Sequence, residues 1–164
     1  MHCGLSDKQA IEDAYPCTPL QKGLMALAVK QPGSYLTAWV YKLSRQVDLL
    51  RFKDAWERTV ALCGGLRTRI ITLADGETFQ IVVDDDFAWD TWDEPFKSME
   101  DDAAALTLAI EQTHKTDIST GSRLWRYALS GGTDRQKYFT LIGHHAVFDG
   151  WSVGLIIEQL QSLY

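Results

Sequence analysis

The sequence predicts an α/β protein of the α+β sandwich kind, in which helices pack on a mixed, largely antiparallel sheet. Three observations lead there. "VDLLRFKDAWERTVALCGG" places Phe52, Trp56, Val60 and Cys63 on one helical face. "SVGLIIEQLQSLY" carries a second such stripe in Val153, Ile156, Ile157 and Leu160. Between the two, short β-branched and aromatic runs come in pairs around turn signals, as antiparallel strands do.

Taken in order, the first element is a helix in "DAYPCTPLQKGLMALAVKQPG", with Thr18 as N-cap, Pro19 at the first helical position and "QPG" as the stop. "SYLTAWVYKLS" is rich in β-branched and aromatic residues and reads as a strand. The Phe52 helix starts at Asp48 and ends at Gly64-Gly65. "LRTRII" and "TFQIVV" are short strands around the turn signal "ADGE". In "DDDFAWDTWDEPF", Pro95 and the scattered carboxylates suit a surface loop, Asp84 to Asp86 keeping it solvated and Trp89 and Trp92 packing inward. "SMEDDAAALTLAIEQTHKTD" is predicted helical, with acids in the first turn where they favour the N-terminal dipole. The strands "RLWRYALS" and "KYFTLIG" flank "GGTDRQ", a hairpin turn. The sequence holds no repeat, no low-complexity segment and no internal linker.

Composition sets outer limits. A chain of 164 residues is long enough for one domain with a sizeable core. It is 46% hydrophobic and 23% charged, with no apolar run long enough to span a bilayer and no readable secretory signal. A net charge of −6 argues against nucleic-acid binding, which needs clustered Lys and Arg. Cys3, Cys17 and Cys63 are an odd set without CxxC spacing, which favours reduced thiols in a cytoplasmic protein over disulfides or structural zinc.

The chemistry concentrates in "HHAVFDG", at a predicted strand-to-helix junction. Adjacent side chains on an extended backbone point to opposite sides, so His144 and His145 are not equivalent. One faces a pocket and the other packs inward. A shared metal ion is disfavoured because no third ligand stands at suitable spacing. Proton transfer needs an imidazole near neutrality and a partner that holds it. Asp149 could orient a histidine or pair with an arginine of "LRTRI". Gly150 permits a tight turn and an accessible backbone N–H, and Ser152 can cap the helix that follows.

"HHAVFDGWS" closely resembles the HHxxxDG signature of nonribosomal peptide synthetase condensation domains. "YPCTPLQKGLM" is similar to the opening motif of that family in its fungal form, and "LRTRI" to the end of its second motif, RHExLRTRF. All three stand in family order from Tyr15 to the final helix. The resemblance implies a chloramphenicol acetyltransferase-like lobe over residues 15–164, preceded by a lead-in over 1–14, with the C-terminal lobe absent. It implies amide bond formation between a donor thioester and an acceptor amine, each delivered by a peptidyl carrier protein domain on a phosphopantetheine arm. No cofactor or metal then belongs to the domain itself, and an adjacent adenylation domain is a further partner. By resemblance His145 is catalytic and Gly150 offers its N–H to the developing oxyanion. His144 and a salt bridge between Asp149 and Arg67 support the loop.

The second motif departs from the family pattern, with Leu62, Cys63 and Gly64 where Arg, His and Glu are usual. The histidine pair argues against heterocyclization domains, and the Asp-Gly step against epimerization domains. Plant-type acyl-CoA transferases carry one histidine and lack the "YPCTPLQ" opening. Fungal terminal cyclizing condensation domains often read SHHAxYDG, close to "GHHAVFDG", and are the second reading. A non-catalytic docking module for carrier proteins is the third. A single lobe is expected to be inactive in isolation.

Overall fold

Two three-stranded antiparallel sheets carry the fold in the computed structural model, which describes residues 10–84, 87–90, 109, 111, 118–130 and 136–164. The first sheet has the order β1-β4-β3, from β1 (Ala10–Pro16), β3 (Thr68–Thr72) and β4 (Thr78–Asp84). The second has the order β2-β6-β5, from β2 (Leu36–Leu43), β5 (Trp125–Ser130) and β6 (Lys137–His144). Among the described residues the helices α1 (Pro19–Lys30), α2 (Leu49–Leu62) and α3 (Gly150–Leu163) accompany them.

The helix starts follow the local chemistry read from the sequence. Thr18 accepts from the Gln21 N–H, and the Gln21 side chain returns the bond to the Thr18 N–H, closing a capping box with Pro19 just inside it. Asp48 caps α2 by accepting from the N–H groups of Leu50 and Arg51. The "ADGE" turn joins β3 to β4 with Gly76 at φ 87°, a conformation that favours glycine.

Two features differ from the sequence reading. β1 had no alternating apolar signal, because every residue in it is exposed on an edge strand. It nevertheless pairs with β4 from Ala10↔Asp84 to Pro16↔Phe79, and it begins inside the stretch taken as a lead-in. Among the described strands every pairing is antiparallel. Of the helix predicted over 98–117, Ala109 and Glu111 are described and helical; the rest, and the turn at 131–135, lie outside the described residues.

The main core lies between the second sheet and the helices α2 and α3. Phe52, Trp56 and Val60 of α2 and Val153, Ile156 and Leu160 of α3 pack on Trp125, Tyr127, Phe139 and Leu141 of the sheet. These strand residues are all odd-numbered, as a face of period two requires. Trp56 is fully buried, with ring centroids 4.8 Å from Phe139 and 5.3 Å from Tyr127. A smaller cluster of Cys17, Met25, Ile70, Leu124 and Ala146 ties α1 and β3 to the turn after β6.

Gly143 on β6 is fixed by this packing. It pairs with Thr37 on one side and Trp125 on the other. A Cβ there would lie 2.5 Å from the Trp125 ring and 3.0 Å from the Phe148 ring. Gly143→Ala is therefore expected to lower stability by roughly 1–3 kcal/mol through overpacking. The check is the urea midpoint at unchanged slope; an unmoved midpoint would mean that the Trp125 ring yields freely.

Candidate functional site

The strand β6 ends at His144, and the chain leaves it through a turn in which the Val147 N–H donates to the His144 carbonyl (3.0 Å). The two histidines therefore emerge on opposite faces. His144 is buried, 1% exposed, whereas His145 is exposed.

His144 accepts from the Ala146 N–H at Nδ1 (3.1 Å), which puts the ring proton on Nε2 in the neutral form. Burial, reinforced by His145 beside it, pushes its pKa down from 6.5 to about 4. This ring is neutral at pH 7. It braces the turn from below.

His145 is held from β2. Its N–H donates to the Tyr35 carbonyl (2.9 Å), extending the β2–β6 ladder by one residue past Leu36↔His144. Its Nε2 lies 3.0 Å from the Thr37 hydroxyl. Its ring lies over Phe148, with centroids 4.4 Å apart. Phe148 in turn contacts Trp39 (5.0 Å, edge-on) and Trp125 (5.2 Å), and the Trp125 indole N–H donates to the Gly65 carbonyl (3.1 Å).

A cleft of about 360 Å³ opens between α1, β4 and the histidine turn. His145, Phe148 and Asp149 line it from one side, Leu20, Gln21 and Gln80 from the other. Gln21 crosses it: its amide donates to the Ala146 carbonyl (2.9 Å) and to Gln80 Oε1 (3.0 Å), while its oxygen accepts from Thr18. The side chain that closes the α1 capping box thus also fixes the turn carrying His145.

The structure corrects two expectations for the supporting residues. Asp149 does not pair with Arg67. It is the N-cap of α3, accepting from the Ser152 N–H (2.8 Å) and hydroxyl (2.9 Å), and the Ser152 N–H is the first cause of its lowered pKa. Arg67 sits in a 3-10 turn, Gly64–Arg67, that follows α2. Its guanidinium donates to the carbonyls of Val60 and Ala61, which the helix end leaves without partners, and to that of Val83. Its counter-ion is Glu12 on β1, whose carboxyl it holds below the usual range. Gly150 also differs from expectation. It is the first residue of α3, it is not in the left-handed region, and a Cβ there would meet nothing within 4 Å. The tight turn is absent, although an N–H in the first helical turn does lack an intrahelical acceptor.

His145 and Asp149 therefore share the cleft, with His144 beneath them, Gly150 at the adjoining helix start and Arg67 elsewhere. The sequence reading missed Thr37, Tyr35, Phe148 and Gly143. Thr37 and Tyr35 lay in what reads only as a strand and its approach. Among the described residues no three His, Cys, Asp or Glu side chains are grouped to hold a metal ion. No described helix is long and apolar enough to cross a membrane.

Residues 11–164 match the condensation domain family. The chain is 37% identical over 166 residues to the AM-toxin synthetase of Alternaria alternata, covering 99% of this chain and 4% of that protein. It is 36% identical over 162 residues to the nonribosomal peptide synthetase fmqA of Aspergillus fumigatus, covering 96% of this chain and 4% of that protein. The chain thus spans a small fraction of the length of these relatives. In fold it is similar to the starter condensation domain of rhizomide synthetase RzmA, with a TM-score of 0.70 at 20% identity over 91% of this chain and 36% of that one.

The buried neutral His144 has a consequence for stability. The unfolded chain takes up a proton near pH 6.5 that the folded chain resists down to about pH 4. Its contribution is complete above pH 6.5 and is lost as the pH falls through that window, the loss amounting to about 3 kcal/mol at the acid end. Histidine ring NMR should find His144 titrating near pH 4; a midpoint at its ordinary value would remove this contribution. Gln21→Leu keeps the bulk and loses four hydrogen bonds. It should lower stability by roughly 2–4 kcal/mol, at about 1 kcal/mol per net bond, read by thermal unfolding.

Proposed function

The chain belongs to the condensation domain family of nonribosomal peptide synthetases, and from that premise we propose that it supplies the histidine-bearing, N-terminal lobe of a domain that forms amide bonds. The acceptor amine, carried on one peptidyl carrier protein domain, attacks the thioester carbonyl carried on another. The C–N bond forms, the C–S bond breaks, and the proton lost by the amine ends on the departing thiol. Both substrates arrive on phosphopantetheine arms of their carriers, so the lobe itself binds no cofactor. The adjacent adenylation domain loads the carriers, and the C-terminal lobe closes the far side of the site. The setting is the cytoplasm.

The observation that carries this reading is the division between the two histidines. His144 is buried and neutral beneath the turn, while His145 presents an exposed ring at the edge of a cleft. An imidazole so placed can receive the amine proton, orient the amine, or stabilise the charge that develops on the carbonyl oxygen. Gly150, with its N–H in the first turn of α3, is proposed as a donor to that oxygen. The segment "GHHAVFDG" favours one second reading, a terminal cyclizing domain in which the same His145 serves intramolecular attack and release of a macrocycle.

In the synthetase that carries this chain, His145→Ala is expected to abolish the condensed product while leaving this lobe folded. Mass spectrometry of the carrier-bound peptide is the measurement, and near-normal turnover would overturn the role given to His145. A linear dipeptidyl carrier intermediate supports condensation, and a released ring supports cyclization. The 164-residue chain alone, incubated with loaded donor and acceptor carriers, is expected to give no product; sustained turnover would show that one lobe suffices and would sink the two-lobe reading.

A further inference from the structure

We propose that Thr37 is a positioning residue for His145, and that the entry to β2 acts as a clamp that holds the imidazole in one rotamer through its Nε2 atom. The inference rests on the role proposed for His145 and adds to it the group that prepares the ring. An exposed histidine is ordinarily free to rotate about two side-chain torsions. Here one contact fixes the backbone from which the ring turns, and two more, to the ring itself, restrict its torsions.

The first contact is to the backbone. Tyr35 holds φ at 60°, in the left-handed region that non-glycine residues rarely occupy, and its carbonyl takes the His145 N–H at 2.9 Å. A strained residue at this point is consistent with a constraint imposed for the sake of the contact. The second is to the ring edge, where the Thr37 hydroxyl lies 3.0 Å from Nε2. Threonine is β-branched and stiff at χ1, and Thr37 is locked in register opposite Gly143 by the β2–β6 ladder. Its hydroxyl position is therefore set by the sheet. Because Gly143 has no side chain, the Trp125 and Phe148 rings occupy the space its Cβ would take, next to Thr37 in the cross-strand row.

The third contact is to the ring face. Trp39 follows Thr37 by two residues and so projects from the same side of β2; it supports Phe148 at 5.0 Å, and Phe148 lies 4.4 Å from the His145 ring. One strand thus supplies the hydroxyl that meets the edge of the imidazole and the indole that supports Phe148 beneath its face. A hydroxyl both donates and accepts, so Thr37 can bond either tautomer at Nε2 and keep the ring in place as its proton moves.

The test is histidine-selective ¹⁵N NMR of the chain, comparing wild type with Thr37→Val, which is nearly isosteric and favours a strand, and with Thr37→Ser, which keeps the hydroxyl. Thr37→Val should shift the His145 Nε2 resonance and average its χ1 couplings over several rotamers, while His144 signals stay in place. Thr37→Ser should restore both. Thr37→Ala serves as the second hydroxyl-free variant should Thr37→Val disturb the His144 signals. Unchanged His145 nitrogen shifts and couplings in the hydroxyl-free variant would overturn the clamp. In the synthetase, Thr37→Val should lower kcat about 10- to 100-fold with KM nearly constant, the loss expected when a reacting group is misplaced by an ångström or less. An equal fall for Thr37→Ser would also count against it. The NMR readout needs no turnover, so it decides on the clamp whether or not His145→Ala abolishes condensation.

Discussion

The arrangement of the site depends on a missing side chain. At Gly143 the backbone of β6 lies bare, and the Trp125 ring from the neighbouring strand rests against it at a distance no Cβ could share. Phe148 folds onto Trp125 and Trp39, and His145 folds onto Phe148. Each ring is placed by the one below it, and the Trp125 indole anchors the stack to the Gly65 carbonyl. The exposed imidazole thus sits on a foundation of buried aromatic surface, which makes its orientation a property of the core.

A second constraint ties the stack to the rest of the fold. Gln21 satisfies all four hydrogen-bonding positions of its amide by capping α1 at Thr18 and bridging Gln80 and the Ala146 carbonyl. The small cluster of Cys17, Met25, Ile70, Leu124 and Ala146 seals the same junction with apolar contacts. The segments "TPLQ" and "HHAV" lie more than a hundred residues apart in sequence, yet they meet through one side chain. Helix initiation and site geometry are therefore one event, since the Gln21 rotamer that closes the capping box also delivers its N–H groups to the turn.

The elements whose local signals agree with their packing were legible in the sequence. Thr18-Pro19, Asp48 and the stripe of Phe52, Trp56 and Val60 each state a boundary or a face, and the structure uses each in that way. The opposed histidines followed from the period of a strand alone. What escaped is set by contacts across the chain. β1 shows no alternation because neither of its faces is buried, and it forms through the β4 ladder and the Arg67–Glu12 pair. Thr37 looks like any β-branched strand residue until β6 is laid beside it in register. The Asp149–Arg67 bridge failed for a local reason. A carboxylate one residue before a helix has the Ser152 N–H and hydroxyl within reach, and a guanidinium just past a helix end has unpaired carbonyls within reach.

The two histidines show how one turn sustains opposite electrostatic environments. A charged imidazole at position 144 would be buried among apolar groups with its Nε2 unpaired and a second imidazole beside it, and burial dominates in driving its pKa down. Position 145 is one residue on, yet the change of face carries it to solvent and to a hydroxyl. The buried ring is thereby held neutral, while the exposed one meets solvent. The neutral His144 can still accept the Ala146 N–H, and the same residue presents its carbonyl to Gln21 through the next peptide unit. Protonating His144 would remove the acceptor, release the Ala146 peptide and loosen the Gln21 bridge together. The depressed basicity of the buried histidine is therefore a condition for the geometry of the exposed one.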